Sequence, residues 1–285
     1  MGQKTRRRFK DRKFRRVVST FDRQSIEELG SIGSFPPTRT QRFLIWAAQN
    51  SVLGRGEFRP HMARLIQSIQ SPIDLVRGGC AFRLSLKGNL IETGLCLKSN
   101  YNGPEIEFLK STMGPGKLAL DIGCNIGMYT LPLAQTGARV ISIDANGEMA
   151  RRTKFHLEAN GLEGQVLHLA VGDKNGQVIL ESQLHDMAIV RTVESDAGDV
   201  EMKPLAQILA EQNVQRVDAL KIDIEGFEDK ALAPWLFSAE RSQLPKRIVI
   251  EMLPEHPQVE CQAAFDQLGY RKVGNTKVNS MFELD

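Results

Sequence analysis

The sequence predicts an α/β protein with a doubly wound, mostly parallel β-sheet, preceded by an N-terminal extension of helices and a hairpin. From residue 118 onwards, short β-rich runs alternate with segments of helical length, the order that places helices on both faces of a parallel sheet. The chain has 285 residues, 41% hydrophobic and 25% charged, which is the composition of a globular protein with a sizeable core. Every apolar run is far shorter than the roughly 18 to 20 residues of a membrane span, so a soluble protein is expected.

The N-terminal tail is strongly basic. Residues 1–16 hold nine Lys or Arg and one acid, Asp11, so with a net charge of +3 for the chain the other residues carry −5. Such an arm is commonly solvated, or it contacts nucleic acid or an anionic membrane surface. Three parts are therefore predicted, a flexible basic tail, an accessory segment and a main domain, at residues 1–37, 38–100 and 101–285.

The four cysteines predict neither a zinc site nor a disulfide framework. They are far apart, with no C-x-x-C pair and no neighbouring His pair, at Cys80, Cys96, Cys124 and Cys261. No apolar segment of a secretion signal follows the basic N-terminus. We therefore expect a protein of a reducing compartment, the cytoplasm.

The accessory segment contains two predicted helices and a predicted hairpin. Apolar residues recur at helical spacing over Arg42–Ser51 and Met62–Ile69, which indicates short amphipathic helices. Over Cys80–Leu97, apolar residues alternate on either side of Lys87-Gly88-Asn89, and this pattern predicts a β-hairpin that turns there.

The main domain contains five predicted parallel strands separated by helices. They are Leu118–Leu120, Val140–Ile143, Val166–Val171, Val217–Ile222 and Ile248–Ile250. An extra strand is expected at Gln177–Leu180, and the stretch Ser182–Asp199 that follows carries no recognisable pattern. A helix at Val259–Leu268 and an antiparallel hairpin of Tyr270–Val273 with Met281–Leu284 are expected to close the sheet.

A glycine-rich loop after the first strand of the main domain predicts a nucleotide-type cofactor site. The strand ends in Asp121, and the turn Gly123-x-Asn125-x-Gly127 then leads into a helix, which is the corner where doubly wound sheets bind nucleotides. The second strand ends in Asp144, 21 residues after Gly123. A carboxylate about 20 residues on is where a ribose diol is bound.

The charge of this loop favours S-adenosyl-L-methionine as the cofactor. A dinucleotide places its pyrophosphate over the helix N-terminus and prefers G-x-G-x-x-G, whereas here Asp121 at the loop entrance would repel a phosphate. S-adenosylmethionine carries a sulfonium and an ammonium and has no phosphate. A dinucleotide site and a purely structural turn remain the alternatives.

Four motifs, taken in order, resemble the FkbM family of S-adenosylmethionine-dependent methyltransferases over residues 101–285. The first resembles the family's D-x-G-x-N-x-G and the third its K-x-D-x-E-G-x-E. The motif segments are Leu120–Gly127, Ala170–Asp173, Leu220–Glu228 and Val249–Glu251. Cys124 stands where the family usually has Ala, and Asp144 replaces a common Glu, which keeps the ribose acceptor but shortens its reach. The resemblance implies a seven-stranded Rossmann-like methyltransferase sheet and O-methylation of a hydroxyl, often on a sugar, lipid or polyketide product.

The predicted catalytic residues follow the fourth and fifth strands. Methyl transfer requires the acceptor oxygen to be held in line with the departing sulfur, and a carboxylate or a neutral His can remove the hydroxyl proton. Strand alternation would place Lys221, Asp223 and Glu225 on one side. Asp223 would orient the methionine part of the cofactor or the acceptor, unless it only pairs with Lys221. Glu225 and His256 are the other candidate bases. The alternative roles are an ordinary acid in a turn for Glu225 and a solvent-exposed loop residue for His256.

Two further site predictions concern adenine and metal. Val171, through its amide, or Asp173 would meet the adenine amino group, unless Asp173 only forms a hairpin turn. Asp121, Asp223 and Glu251 at adjacent strand ends could hold a divalent cation, but the cationic methionine atoms already satisfy one or two carboxylates there. A reaction without metal is therefore expected.

Three functions remain open at the level of sequence. The first is S-adenosylmethionine-dependent O-methylation of a small-molecule, sugar or lipid acceptor. The second is nucleic-acid methylation guided by residues 1–16, although the body is acidic and only 6% of residues are aromatic. The third is cofactor binding without turnover. The sequence carries no motif that identifies the acceptor.

Overall fold

The computed structural model of the chain describes residues 14–16, 25, 29–183, 186–195, 198–252 and 258–285. The strands of this part, in chain order, are β1 (Phe14–Arg16), β2 (Ile73–Arg77), β3 (Cys80–Leu84), β4 (Leu118–Ile122), β5 (Arg139–Asp144), β6 (Gln165–His168), β7 (Ala170–Gly172), β8 (Gly176–Gln183), β9 (Asp186–Glu194), β10 (Val200–Pro204), β11 (Ala219–Ile222), β12 (Arg247–Glu251), β13 (Arg271–Asn275) and β14 (Asn279–Glu283). The α-helices are α1 (Arg39–Gln49), α2 (Phe58–Ile69), α3 (Leu90–Leu97), α4 (Gly103–Lys110), α5 (Thr130–Ala134), α6 (Gly147–Ala159), α7 (Leu205–Glu211), α8 (Glu228–Ser238) and α9 (Val259–Leu268).

A seven-stranded sheet in the order β13-β14-β12-β11-β4-β5-β6 forms the centre of the molecule. Strands β6, β5, β4, β11 and β12 are parallel, and β14 runs antiparallel to both β12 and β13. The prediction of a doubly wound, mostly parallel seven-stranded sheet with an N-terminal helical and hairpin extension is confirmed. The closing antiparallel hairpin and the predicted α9 are also present.

Helices cover both faces of the sheet, so its central strands are buried on both sides. Every residue of β4 and β11 is buried, which explains why these strands are apolar in the sequence except at Asp121 and Lys221. Leu220 and Ile248 pack on one face with Leu232 and Phe265 from α8 and α9. Their neighbours along the strands lie in the core of the opposite face, with residues of the N-terminal segment.

The predicted hairpin in the N-terminal segment is wrong in position. Strands β2 and β3 pair around Gly78-Gly79, both in the left-handed region with φ of 56° and 79°, as a tight hairpin turn requires. Leu90–Leu97 is helix α3, because Asn89 caps it by accepting hydrogen bonds from the amides of Ile91 and Glu92. The apolar residues there fit helical spacing as well as they fit alternation.

A second sheet contains β1, β8, β10 and β7 in that order, with β9 paired to β8. The predicted third strand, Val166–Val171, is therefore two strands, because β6 joins the central sheet and β7 pairs with β10 instead. Strands β9 and β10 were not predicted. Phe14–Arg16, inside the predicted tail, pairs antiparallel with Glu181–Gln183.

No helix in the described ranges is long and apolar enough to cross a membrane.

Candidate active site

One cavity of about 650 Å³ opens at the carboxyl ends of the central parallel strands, where open α/β sheets bind ligands. Its size is within the usual range of small-molecule sites. The loops after β4, β5 and β11 and the end of β12 supply its lining residues Gly123, Asn125, Asp144, Ala145, Asp223, Glu225 and Glu251. We call Asp144, Asp223, Glu225 and Glu251 the acidic wall.

The glycine-rich loop after β4 curls back onto the end of β5. The amides of Gly123 and Cys124 donate to the carbonyl oxygen of Ile143, at 2.8 and 3.1 Å. Gly123 has a φ of 79°, and a Cβ there would overlap the carbonyl oxygen of Asp223, so only glycine fits. Asn125 is also left-handed, with a φ of 51°.

Two other positions of this loop do not line the cavity. Gly127 has a φ of 87°, and a Cβ there would lie 2.6 Å from the Leu131 side chain, so this glycine allows the close approach of α5. Cys124 is buried with its Sγ 3.6 Å from Thr153 Oγ1, and burial raises the pKa of its thiol well above the ordinary value. The departure from the family motif at Cys124 thus adds a packed, unreactive side chain.

Asp144 lies at the end of β5 with its carboxylate against the loop. Its oxygens accept hydrogen bonds from the amides of Asn125 at 2.7 Å and Asn146 at 2.8 Å. Burial outweighs these bonds and raises the pKa of Asp144 to about 7. A carboxylate has about four acceptor positions, so Asp144 can still accept from two hydroxyl groups.

Asp121 is buried below the loop and does not line the cavity. It is 1% exposed, and one carboxylate oxygen accepts a 2.6 Å hydrogen bond from Thr130 Oγ1. The other oxygen, Oδ1, has no hydrogen-bond partner in the described part of the chain. Burial raises the pKa of Asp121 to about 6. Its influence on a ligand in the cavity is therefore through charge rather than contact.

The turn after β11 presents two acids to the cavity. Lys221 is buried, and its Nζ lies 3.1 Å from Asp223 Oδ2 and 3.3 Å from Asn279 Oδ1, so the pairing that the sequence left open for Asp223 is present. The strand ends at Ile222, and Glu225 reaches the cavity through a turn in which its φ is 57°. Glu225 lines the cavity as predicted. The reason given for it was wrong, because strand alternation does not extend as far as Glu225.

Glu228 holds that turn in place. It is fully buried at the start of α8, where one oxygen accepts from the Ile224 amide at 2.8 Å and the other from Gln258 Nε2 at 2.6 Å. In the sequence analysis, Glu228 appears only as the last residue of the third motif. Because Glu225 is a left-handed residue other than glycine, this brace supports a backbone conformation that costs energy, as is common at functional sites.

Glu251 is a site residue that the sequence analysis used only as part of a motif and as a candidate metal ligand. It ends β12 beside the turn and lines the cavity. Burial, and then the carboxylates of Asp223 and Glu225, raise its pKa well above the ordinary value. The signal for it was present in the sequence, since it is an acid at the end of a predicted parallel strand.

Three acids of this region could approach a metal ion together. Asp223, Glu228 and Glu251 each offer an oxygen within 4.8 Å of the others. However, both oxygens of Glu228 already accept hydrogen bonds, and the Lys221 ammonium bonds to Asp223. The positive charge of Lys221 thus already offsets part of the negative charge of these acids. The expectation of a metal-free reaction stays a prediction.

The predicted adenine contacts lie apart from each other. Val171 is buried in β7 and borders a small hollow that shares Gly123, Asp144 and Ala145 with the main cavity. Asp173 is exposed in the turn between β7 and β8. The geometry thus favours Val171 over Asp173. His256 lies outside the described residues.

Basic residues line the part of the cavity formed by distant segments of the chain. Arg59 comes from α2, Lys98 follows α3, and Lys277 lies in the turn between β13 and β14. We call these three residues the basic wall. Sequence reasoning missed them because no local pattern joins residues so far apart.

The chain matches one protein family and is similar to distantly related proteins of known activity. The methyltransferase FkbM domain matches residues 121–272, a little over half of the chain. The 23S rRNA (uracil(1939)-C(5))-methyltransferase RlmD of Shewanella sp. (strain ANA-3) is 24% identical over 180 residues, covering 63% of this chain and 38% of that protein. The protein of the same name in Hahella chejuensis (strain KCTC 2396) is 34% identical over 55 residues, covering 19% and 12%. The chain spans well under half the length of these relatives.

Solved structures resemble the chain at low identity. The tRNA (uracil-54, C5)-methyltransferase of Pyrococcus abyssi in complex with S-adenosyl-L-homocysteine has a TM-score of 0.43 and 12% identity, covering 75% of this chain and 44% of that one. A putative SAM-dependent methyltransferase from Streptococcus mutans has a TM-score of 0.48 and 12% identity, covering 75% and 56%.

Proposed function

The chain belongs to the FkbM methyltransferase family and is an S-adenosylmethionine-dependent methyltransferase, and from this premise we propose that it methylates a hydroxyl oxygen of a small molecule, sugar or lipid. One observation carries the proposal. The glycine-rich loop and the acidic wall line the same cavity, so a cofactor on the loop and a hydroxyl beside the acids would share one enclosed space.

In this proposal, the loop and Asp144 bind the cofactor. Gly123 and Asn125 approach it with their backbone, Gly127 sets the loop against α5, and Asp144 accepts hydrogen bonds from the ribose diol. Val171 borders the adenine, and Asp173 is the weaker candidate. Asp121 adds negative charge below the loop. The cofactor itself supplies a methyl group activated by the sulfonium.

The acids after β11 are proposed to act on the acceptor. Glu225 lines the cavity on a braced turn and is the candidate to accept the hydroxyl proton. Asp223, bound to Lys221, is the candidate to orient the hydroxyl or the methionine ammonium. His256 remains a predicted alternative base. Holding the acceptor oxygen in line with the methyl group supplies much of the rate acceleration, and the base supplies a further factor of about 10²–10⁴.

A second candidate function, nucleic-acid methylation, is favoured by the basic residues 1–16 and by the rRNA methylation for which the similar RlmD proteins are named. Methylation at a pyrimidine carbon needs a nucleophile that activates the ring, and a thiolate is suited to this. All four cysteines are buried, and burial raises the pKa of each thiol, which makes them poor nucleophiles. We therefore place hydroxyl methylation first.

The test is methyl transfer from labelled S-adenosylmethionine into a cell extract separated into small molecules, lipids and RNA. We expect label in the small-molecule or lipid fraction, in a linkage with the chemical stability of an ether, and little label with the Glu225→Gln variant. Label confined to RNA would replace the proposal with the second candidate. Binding of the cofactor without transfer into any fraction would favour a protein without turnover.

A further inference from the structure

The basic wall sits in the same cavity as the acidic wall. Arg59, Lys98 and Lys277 line this cavity together with Tyr101. The Tyr101 ring packs against two of these cations, with Arg59 Cζ 5.6 Å and Lys98 Nζ 5.4 Å from its centroid. One half-buried aromatic ring thus holds two positive side chains side by side.

The basic wall has no salt bridge to the side chains that the structure describes. Among those side chains, no carboxylate lies within 4.0 Å of Arg59, Lys98 or Lys277, whereas Lys221 and Arg247 each have a carboxylate partner at about 3 Å. Glu105 also lines the cavity, and its negative charge partly offsets the effect of the neighbouring cations on Lys98. Burial, and then the charges of Arg59, Lys277 and Arg55, lower the pKa of Lys98.

Arg59 is held at the cavity wall by its own hydrogen bonds. Its Nη2 donates to the carbonyl oxygen of Leu90 at 2.9 Å, and its side chain also hydrogen-bonds to Tyr101. Its Nε is shielded from solvent and has no hydrogen-bond partner among the residues that the structure describes. A guanidinium has five N–H donors, and an oxyanion is the ligand that best uses several of them at once.

We propose that the methyl acceptor carries an anionic oxygen group, of the phosphate, sulfate or carboxylate class, which binds to the basic wall while its hydroxyl group faces the acidic wall. This inference rests on the proposed hydroxyl methylation and adds the class of its substrate. The separation of charge within one cavity orients such an acceptor. An uncharged acceptor would leave the like charges of these three cations without a directly bonded anion.

A small anionic acceptor fits the geometry better than a nucleic-acid strand. Nucleic-acid sites spread their cations along a groove that follows many phosphates. Here the three cations line one concave cavity of about 650 Å³, and this arrangement suits a single anionic group. The proposal therefore commits to a small anionic acceptor, and an oligonucleotide is included as a competing ligand in the test.

The first experiment measures binding of inorganic phosphate and sulfate to the full chain, saturated with S-adenosylhomocysteine, by thermal shift and NMR titration. We expect saturable binding that weakens about tenfold or more in Lys98→Ala and in Lys277→Ala, since each removes one nearby positive charge. Both residues are exposed, so the variants should fold. Lys154→Ala is the matched control, because Lys154 is an exposed helix lysine paired with Glu158, and it should bind phosphate like the wild type.

Three results would overturn the proposal. Absence of saturable anion binding to the wild type would do so, and so would equal binding by Lys98→Ala, Lys277→Ala and the wild type. The third is an oligonucleotide that binds at least tenfold more tightly than a nucleoside monophosphate and loses that advantage in Lys98→Ala, since the anionic ligand would then be a nucleic acid.

The second experiment separates this inference from the proposed function. An extract that supports methyl transfer is passed over an anion-exchange resin at pH 7, and the bound and unbound fractions are assayed with labelled cofactor. We expect the acceptor in the bound, low-molecular-mass fraction. An O-methylated acceptor in the unbound fraction would refute the anionic class and leave hydroxyl methylation intact. Transfer to a group other than hydroxyl in the bound fraction would refute the proposed function, and with it the placement of a hydroxyl at the acidic wall, and would leave only the anionic class of the acceptor.

Discussion

If Asp144 binds the ribose diol, as proposed, it makes cofactor affinity depend on pH. Its pKa of about 7 means that the carboxylate is largely protonated at pH 5.5 in the cofactor-free protein. A ribose diol donates to the ionised form, so binding favours loss of the proton, and affinity should rise with pH up to about 7 and then level. At pH 5.5 only about 3% of Asp144 is ionised. The dissociation constant should therefore be about thirtyfold higher than at pH 8, which corresponds to about 2 kcal/mol.

Titration calorimetry with S-adenosylhomocysteine between pH 5.5 and 8.5 measures this effect. In Asp144→Asn, affinity at pH 8 should fall by about 1.5–3 kcal/mol through loss of charge-assisted bonds, and the inflection near pH 7 should disappear. Asp121→Asn is the matched control, because it removes a buried acid that does not line the cavity and should keep that inflection. A wild-type affinity that is flat with pH, or an unchanged slope in Asp144→Asn, would refute the reasoning.

Four further predictions concern the same cavity. Glu225→Gln and Asp223→Asn should lower turnover about 10²-fold or more with cofactor affinity within a few-fold; if Asp223 holds the methionine ammonium instead, affinity falls in parallel. In Gly123→Ala, cofactor affinity should fall at least tenfold. Urea denaturation should show a loss in the free energy of unfolding about 1–3 kcal/mol larger than in the control Gly161→Ala. Both glycines have positive φ, but only at Gly123 would the added Cβ clash. If His256 is the base, the pH–rate profile should inflect near about 6 to 7 and His256→Ala should abolish that inflection. A chelator should leave turnover unchanged, and complete inhibition that Mg²⁺ reverses would recast the acids as ligands.

The central sheet was predictable because its strands obey a strong local rule. Strands buried on both faces are mostly apolar, and β4, β5, β11 and β12 each contain a run of apolar residues in the sequence, with polar or charged residues confined to Asp121, Ser142, Lys221 and the strand ends. The glycine loop was predictable for a similar reason, since the left-handed backbone at Gly123 and its contact with Asp223 admit no other residue.

The second sheet and the first hairpin were less accessible because their signals are ambiguous. Leu90–Leu97 is apolar enough to fit a strand or a buried helix, and only the capping by Asn89 decides in favour of the helix. The boundary between β6 and β7 lies at Leu169, inside one apolar run. The chain continues there without a turn signal, although β6 pairs with β5 and β7 pairs with β10. No local sequence pattern indicates this change of partner.

In the site, residues at strand ends were predictable and residues brought together by tertiary structure were not. Asp144, Asp223 and Glu225 follow directly from the strand and loop pattern, and all line the cavity. Asp121 shows the limit of that reasoning, because its position at a strand end was read correctly and its burial was not. The basic wall depends on α2 and on the β13–β14 turn reaching the same cavity, which requires the whole fold.

The charge of the acidic wall also affects the release of the product S-adenosylhomocysteine. The half-buried carboxylates of the acidic wall repel one another, as the raised pKa of Glu251 indicates, and a positively charged cofactor relieves that repulsion. Methyl transfer removes the sulfonium charge, so the attraction that helps to bind S-adenosylmethionine is weaker for S-adenosylhomocysteine. The proton that leaves the acceptor hydroxyl, if it moves to Glu225, at the same step reduces the negative charge of the acidic wall. The chemical step thus weakens the electrostatic attraction between the site and its product cofactor, and this favours product release.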